Sequence, residues 1–134
     1  NVVRPALLAG KIVISDRCFS ATWAYQGFAG GIGIGAVEEM TALATEGLNP
    51  DLLLVLDIDP LVGFQRKNSD RLDRIERKPQ EYHAKVRDGF LQFAARYQPF
   101  CAVIDADQPV AVVHRDIIDS VNDRLGLDLP VLDV

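Results

Sequence analysis

Leu52-Leu53-Leu54-Val55-Leu56-Asp57-Ile58-Asp59-Pro60 is the stretch that decides the fold. Five apolar residues in a row, without alternation, read as a strand buried on both faces, the habit of parallel sheets. Asp59-Pro60 then reads as a helix start, with the acid as N-cap and the proline where its missing N–H costs nothing. A strand that passes through acids into a capped helix is half of a β-α-β unit.

Two further runs read the same way: residues 11–15 (Lys11-Ile12-Val13-Ile14-Ser15) and 101–104 (Cys101-Ala102-Val103-Ile104). Between and beyond the strands lie helical patterns at 20–26, 36–46, 60–67, 79–97 and 110–125. The fourth places Tyr82, Val86, Phe90 and Phe93 on one stripe. The last is opened by Gln108-Pro109 and closed by Gly126. Strands alternating with helices predict a parallel sheet with helices on both sides. Each predicted strand also ends in acid: Asp16, then Asp57 and Asp59, then Asp105 and Asp107. In an open parallel sheet the ligand crevice lies outside the carboxyl ends of the strands. Carboxylates gathered there suit a metal or phosphate site, although helix capping explains Asp59 and Asp107 equally well.

The 134 residues, 49% of them apolar, suffice for one small domain. A formal charge of −5 argues against general nucleic-acid or anionic-membrane binding, and no apolar run is long enough to span a bilayer. Cys18 and Cys101 have neither metal nor redox spacing and are expected as free thiols in a cytoplasmic protein. His83 and His114 have no partner at metal spacing and are expected as solvated surface residues. The opening residues read as the end of a helix already under way, which suggests a fragment.

Three motifs bear on chemistry. Asp16-Arg17, at the predicted tip of the first strand, offers a guanidinium fork for a phosphate beside a carboxylate able to hold Mg²⁺ through water. The following Cys18–Gly27 mixture of aromatic, hydroxyl and amide groups suits a small-molecule pocket. The stretch 66–78 holds six basic and three acidic residues, and reads either as a solvated linker or as a lid closing over polyphosphate. Gly31-Ile32-Gly33-Ile34-Gly35-Ala36 fits the dinucleotide pattern G-x-G-x-x-G/A, but the preceding residues read as helix, and that fingerprint needs a strand directly before it. The sequence contains no phosphate loop of the form G-x-x-x-x-G-K-S/T.

In order and spacing the segments resemble the thymidylate kinases of the bacterial type. The matching pieces are Arg4-Pro5-Ala6-Leu7, Ile14-Ser15-Asp16-Arg17, Thr22-x-Ala24-Tyr25-Gln26-Gly27, Asn49-Pro50-Asp51-Leu52, Leu56-Asp57-Ile58-Asp59-Pro60, Asp73-Arg74-Ile75-Glu76 and Ile104-Asp105-Ala106. The resemblance runs as far as about Gly126. It implies a P-loop-kinase-type α/β/α three-layer fold with a parallel sheet. Residues 1–134 would be the C-terminal part of a single nucleoside-monophosphate kinase domain, lacking the N-terminal strands.

The activity implied is transfer of the γ-phosphoryl group of ATP to dTMP, giving dTDP, with Mg²⁺ and in a homodimer. Arg17 would hold the dTMP phosphate and bridge toward the transferred group, with Asp16 beside it near the metal. Thr22 would read thymine, Tyr25 would crowd the sugar 2′ position, and Gln26 would complete the acceptor pocket. Arg66, Arg71 and Arg74 would contact ATP phosphates, the last two also serving catalysis, while Ala106, Gln108 and Pro109 would bracket adenine. Three departures from the family pattern are visible: Ala21 stands in place of serine, Cys18 in place of an aromatic residue or histidine, and Ala29-Gly30-Gly31 in place of Gly-Arg-Gly. The alternatives are a kinase for another nucleoside monophosphate and a non-catalytic nucleotide-binding module. Because the implied first strand lies between the first and second strands of this chain, the chain alone is expected to be neither stably folded nor active.

Overall fold

The computed structural model describes residues 2–66 and 78–132. In chain order these form α1 (Val3–Leu8), α2 (Phe19–Thr22), a π-helical turn (Trp23–Phe28), α3 (Ile34–Thr45), β1 (Leu53–Asp57), α4 (Pro60–Arg66), α5 (Gln80–Arg96), a 3₁₀ turn (Gln98–Phe100), β2 (Cys101–Asp105) and α6 (Val110–Leu125). β1 and β2 pair in parallel, in the register Leu53 to Cys101 through Asp57 to Asp105. The two strand-end aspartates therefore sit side by side.

The caps form as the sequence dictates. The Asp59 carboxylate accepts from Leu61 N at 2.8 Å and opens α4. Gly126, at φ 64°, takes the left-handed conformation that closes α6. The core gathers around Phe93 of α5, which has no exposed surface. Trp23 meets its ring edge-on at 5.5 Å, and Phe19 does so at 5.7 Å. Val37, Leu53, Val55, Ala94 and Cys101 complete the cluster.

Gly89 explains how α5 comes so close to the π-helical turn. A Cβ there would lie 3.1 Å from the Ala24 Cα and 3.3 Å from the Phe28 Cβ, so a side chain would need these neighbours to give way by a few tenths of an ångström.

Three expectations need correction. Residues 11–15 form no strand: no strand among the described residues pairs with them, and Ile12 and Ile14 stand 73% and 93% exposed. Apolar β-branched composition gives strand propensity, but a ladder also needs a partner. The two strands that do form are covered only in part, since Leu56 and Val103 remain open. The histidines are not freely solvated: the Nε2 atoms of His83 and His114 are both enclosed without a hydrogen-bond partner among the described residues. His83 packs instead against Phe64, with ring centroids 4.8 Å apart. The glycine-rich 31–35 turn follows the π-helical turn, not a strand, as expected. Among the described residues no helix is long and apolar enough to cross a membrane.

Candidate active site

Arg17 has a left-handed backbone, with φ 68°. That conformation costs a residue with a Cβ about 1–2 kcal/mol. It is held in part by the Ser15 hydroxyl, which donates to the Arg17 carbonyl at 2.9 Å. The outcome is that the exposed guanidinium lies over the Tyr25 ring, 4.9 Å from its centroid. Tyr25 is itself fixed. Phe90 of α5 meets its ring edge-on at 6.0 Å, and the Tyr82 hydroxyl donates to its carbonyl at 3.2 Å. Thr22 and Gln26 lie exposed in the same helical segment as Tyr25, and Asp16 is exposed beside Arg17. The π-helical turn that carries Tyr25 and Gln26 is an uncommon geometry, frequent at functional sites.

A second group forms at the carboxyl ends of the strands. Arg66, the last residue of α4, donates to the Ala106 carbonyl at 2.8 Å and to the Asp107 carboxylate at 2.7 Å. Asp105 accepts from Gln108 Nε2 at 3.0 Å and from the Asp107 N–H at 2.9 Å, and these two bonds hold its carboxyl below the usual carboxylate range. Pro109 then starts α6. Arg66 is thus brought onto the loop that holds Ala106, Gln108 and Pro109. Arg71 and Arg74, with most of the expected lid, lie outside the described residues.

Helix α5 joins the two groups. Its Tyr82 and Phe90 hold Tyr25, its His83 packs on α4, and its Arg87 grips β1. The Arg87 Nε donates to one Asp57 oxygen at 2.7 Å and the Nη2 to the other at 2.9 Å, while Nη1 lies 3.6 Å from Asp59. Sequence reasoning missed Arg87 because it sits 30 residues from Asp57, inside an ordinary helical pattern. Tyr82 was recognised only as part of the apolar stripe.

These contacts decide the role of the acids. Asp57, Asp59 and Asp105 are occupied by protein donors, and among the described residues no group of three or more His, Cys, Asp or Glu could hold a metal. Among the described acids that the sequence places after its apolar runs, Asp16 is the exposed one that those protein donors do not hold.

Both cysteines are free thiols; burial, with Cys18 nearby, pushes Cys101 up to about 11, so it stays protonated. A cavity of about 170 Å³ between α2, α3 and the end of α5 contains none of the predicted site residues. The Glu38 carboxylate on its wall is satisfied by the Tyr97 hydroxyl at 2.6 Å and by Arg96 at 3.2 Å, as suits a structural contact.

The parallel strands with acids at their carboxyl ends, and a strained arginine backed by an aromatic ring that α5 holds, define an α/β protein with two polar groups linked through one helix. Asp16 and Arg17 are not at a strand tip, since residues 11–15 form no strand. A family model described as "Thymidylate kinase" matches residues 1–117. The chain belongs to the thymidylate kinase family, and its fold is that of the P-loop kinases. It is 37% identical over 123 residues to a thymidylate kinase of Thermoanaerobacter sp. (strain X514), covering 92% of this chain and 61% of the relative. It is 40% identical over 124 residues to that of Geobacillus sp. (strain WCH70), covering 90% and 59%. For that of Clostridium novyi (strain NT) the identity is 41% over 118 residues, covering 86% and 58%. The chain thus spans about 60% of the length of these relatives.

Proposed function

We propose that this chain is the part of a thymidylate kinase that binds dTMP and embraces the adenine end of ATP. In this reading it acts in transfer of the γ-phosphoryl group of ATP to the 5′-phosphate of dTMP. The products are dTDP and ADP: the bond from the γ-phosphorus to the β,γ-bridging oxygen breaks, and one to a dTMP phosphate oxygen forms. The observation that carries the reading is Arg17, which keeps a costly backbone geometry and presents an exposed guanidinium over Tyr25. The other left-handed non-glycine residue among those described, Glu46, closes α3, whereas Arg17 closes no helix, and strain of that kind points to a ligand contact.

Each residue has a task. Arg17 holds the acceptor phosphate with its fork and balances negative charge as the phosphoryl group moves. Tyr25 braces Arg17 and bars a 2′-hydroxyl, Thr22 addresses the thymine ring, and Gln26 lines the same pocket. Ala106, Gln108 and Pro109 flank adenine, with Arg66 holding their loop. Arg66, Arg71 and Arg74 serve the ATP phosphates, and Arg71 and Arg74 stabilise the charge in transfer. Catalysis of this kind is mostly orientation and electrostatic stabilisation.

One exposed carboxylate at Asp16 fits a Mg²⁺ that keeps most of its waters and takes its other ligands from phosphates. Asp16 would hold the ion through water, and the ion would neutralise phosphate charge. A two-fold dimer and a cytoplasmic setting belong to the same reading. The dimer is supported by Leu8 on one side of α1 and by Met40 and Leu43 on α3, all largely exposed.

The test is a turnover panel of dTMP, dUMP, dCMP and UMP with ATP and Mg²⁺, using the gene product expressed in full. Preference for dTMP supports the reading. Preference for another monophosphate reassigns the kinase, and binding of nucleotides without turnover favours a non-catalytic module.

A further inference from the structure

The ion pairs at the strand edge form a closed circuit. Arg87 of α5 grips both Asp57 oxygens, and the Asp57 backbone carbonyl accepts the Ala106 N–H at 2.8 Å. The Ala106 carbonyl accepts from Arg66 at the end of α4, and Asp59, which caps the start of α4, faces Arg87 again at 3.6 Å. One guanidinium thereby offsets two carboxylates and ties together α5, the end of β1, both ends of α4 and the loop after β2. The Asp57 side chain is only 21% exposed, so the carboxylate would be poorly served by water alone.

Asp57 faces its register partner Asp105 at the same edge, adding to the negative charge there. Without Arg87, the edge would offer a polyphosphate two more uncompensated charges and a loop free to shift. We infer that Arg87 is the positioning residue for the nucleotide-facing edge, fixing the 105–109 loop and Arg66 through Asp57 and Asp59 without touching substrate. The kinetic part of this inference rests on the ATP-side reading given above; the structural part does not.

The experiment uses the gene product expressed in full, as parent, Arg87→Gln, Arg87→Lys and the double variant Arg87→Gln with Asp57→Asn. Amide hydrogen exchange is followed without nucleotide, and KM is measured separately for ATP and dTMP. In Arg87→Gln, exchange at Ala106 and Asp107 is expected to accelerate about tenfold or more, with Ala102 in the strand changing far less. The KM for ATP is expected to rise about tenfold, as for loss of a charged hydrogen bond, with KM for dTMP within about twofold. Arg87→Lys keeps charge but not the fork, so it recovers part of the loss. The double variant, with no stranded carboxylate, recovers part as well.

Unchanged exchange at Ala106, or equal acceleration at Ala102, overturns the inference. So does an equal rise in both KM values. Should Arg87→Gln not fold, Arg87→Lys decides by the same selective exchange at Ala106. A parent that does not phosphorylate dTMP refutes the enzymatic reading instead, and the nucleotide-free exchange still judges Arg87.

Discussion

The Arg17 guanidinium lies 4.9 Å from the centre of the Tyr25 ring, and Tyr25 is held in turn by Phe90 and Tyr82 of α5. An exposed arginine over an aromatic face gains about 0.5–1 kcal/mol. Tyr25→Ala is therefore expected to raise KM for dTMP about two- to fivefold through loss of the brace. Tyr25→Phe keeps the ring and should leave KM within about twofold. Both are read from initial rates at saturating ATP. If Tyr25 also bars the 2′-hydroxyl, Tyr25→Ala raises turnover of UMP relative to dUMP.

The backbone of Arg17 gives a stability test independent of activity. Alanine at φ 68° keeps the left-handed cost and glycine does not, so Arg17→Gly should be more stable than Arg17→Ala by about 1 kcal/mol. Urea melts of the two variants read the difference. Both should be nearly inactive, since neither carries the fork.

Gly89 has little room for a side chain, with Ala24 and Phe28 closing over it at 3.1–3.3 Å from where a Cβ would stand. Gly89→Ala should destabilise by about 1–3 kcal/mol despite the better helix propensity of alanine, because the crossing of α5 over the π-helical turn must widen. A thermal melt checks the sign. A stabilised variant would mean that the two segments can separate without penalty.

Glu38 supplies a pH dependence. The Tyr97 hydrogen bond, ahead of those from Trp23 and Arg96, holds its carboxyl below the ordinary 4.5. A depressed folded pKa means a contribution fully present above the unfolded value and lost as pH falls through the folded value. Stability of the parent should therefore drop between the ordinary glutamate range and the more acidic folded value. Glu38→Gln should flatten that part of the profile, measured by urea midpoints across acidic buffers.

What the sequence disclosed follows from where the information resides. β1 and α4 were legible within one residue because the apolar run at 52–56 and the Asp59-Pro60 start are local signals. Residues 11–15 carry the same local signal and form no strand, since pairing is decided by a neighbour and not by composition. The acids at the sheet edge could be placed but not interpreted. Whether Asp57 faces a ligand or an arginine depends on the register of α5 against β1, which no local pattern encodes. The π-helical geometry of Trp23–Phe28 was hidden too; the turn packs closely on Gly89, a contact no local pattern encodes.

The most direct measurement is the rate of ATP-dependent formation of dTDP from dTMP by the gene product expressed in full, parent beside Arg17→Ala. The parent should form dTDP and ADP in equal amounts, and the variant should be slower by at least about 10²–10³-fold, the loss of one transition-state donor. No dTDP from the parent, or a variant within about threefold of it, would contradict a phosphate-holding arginine at this site.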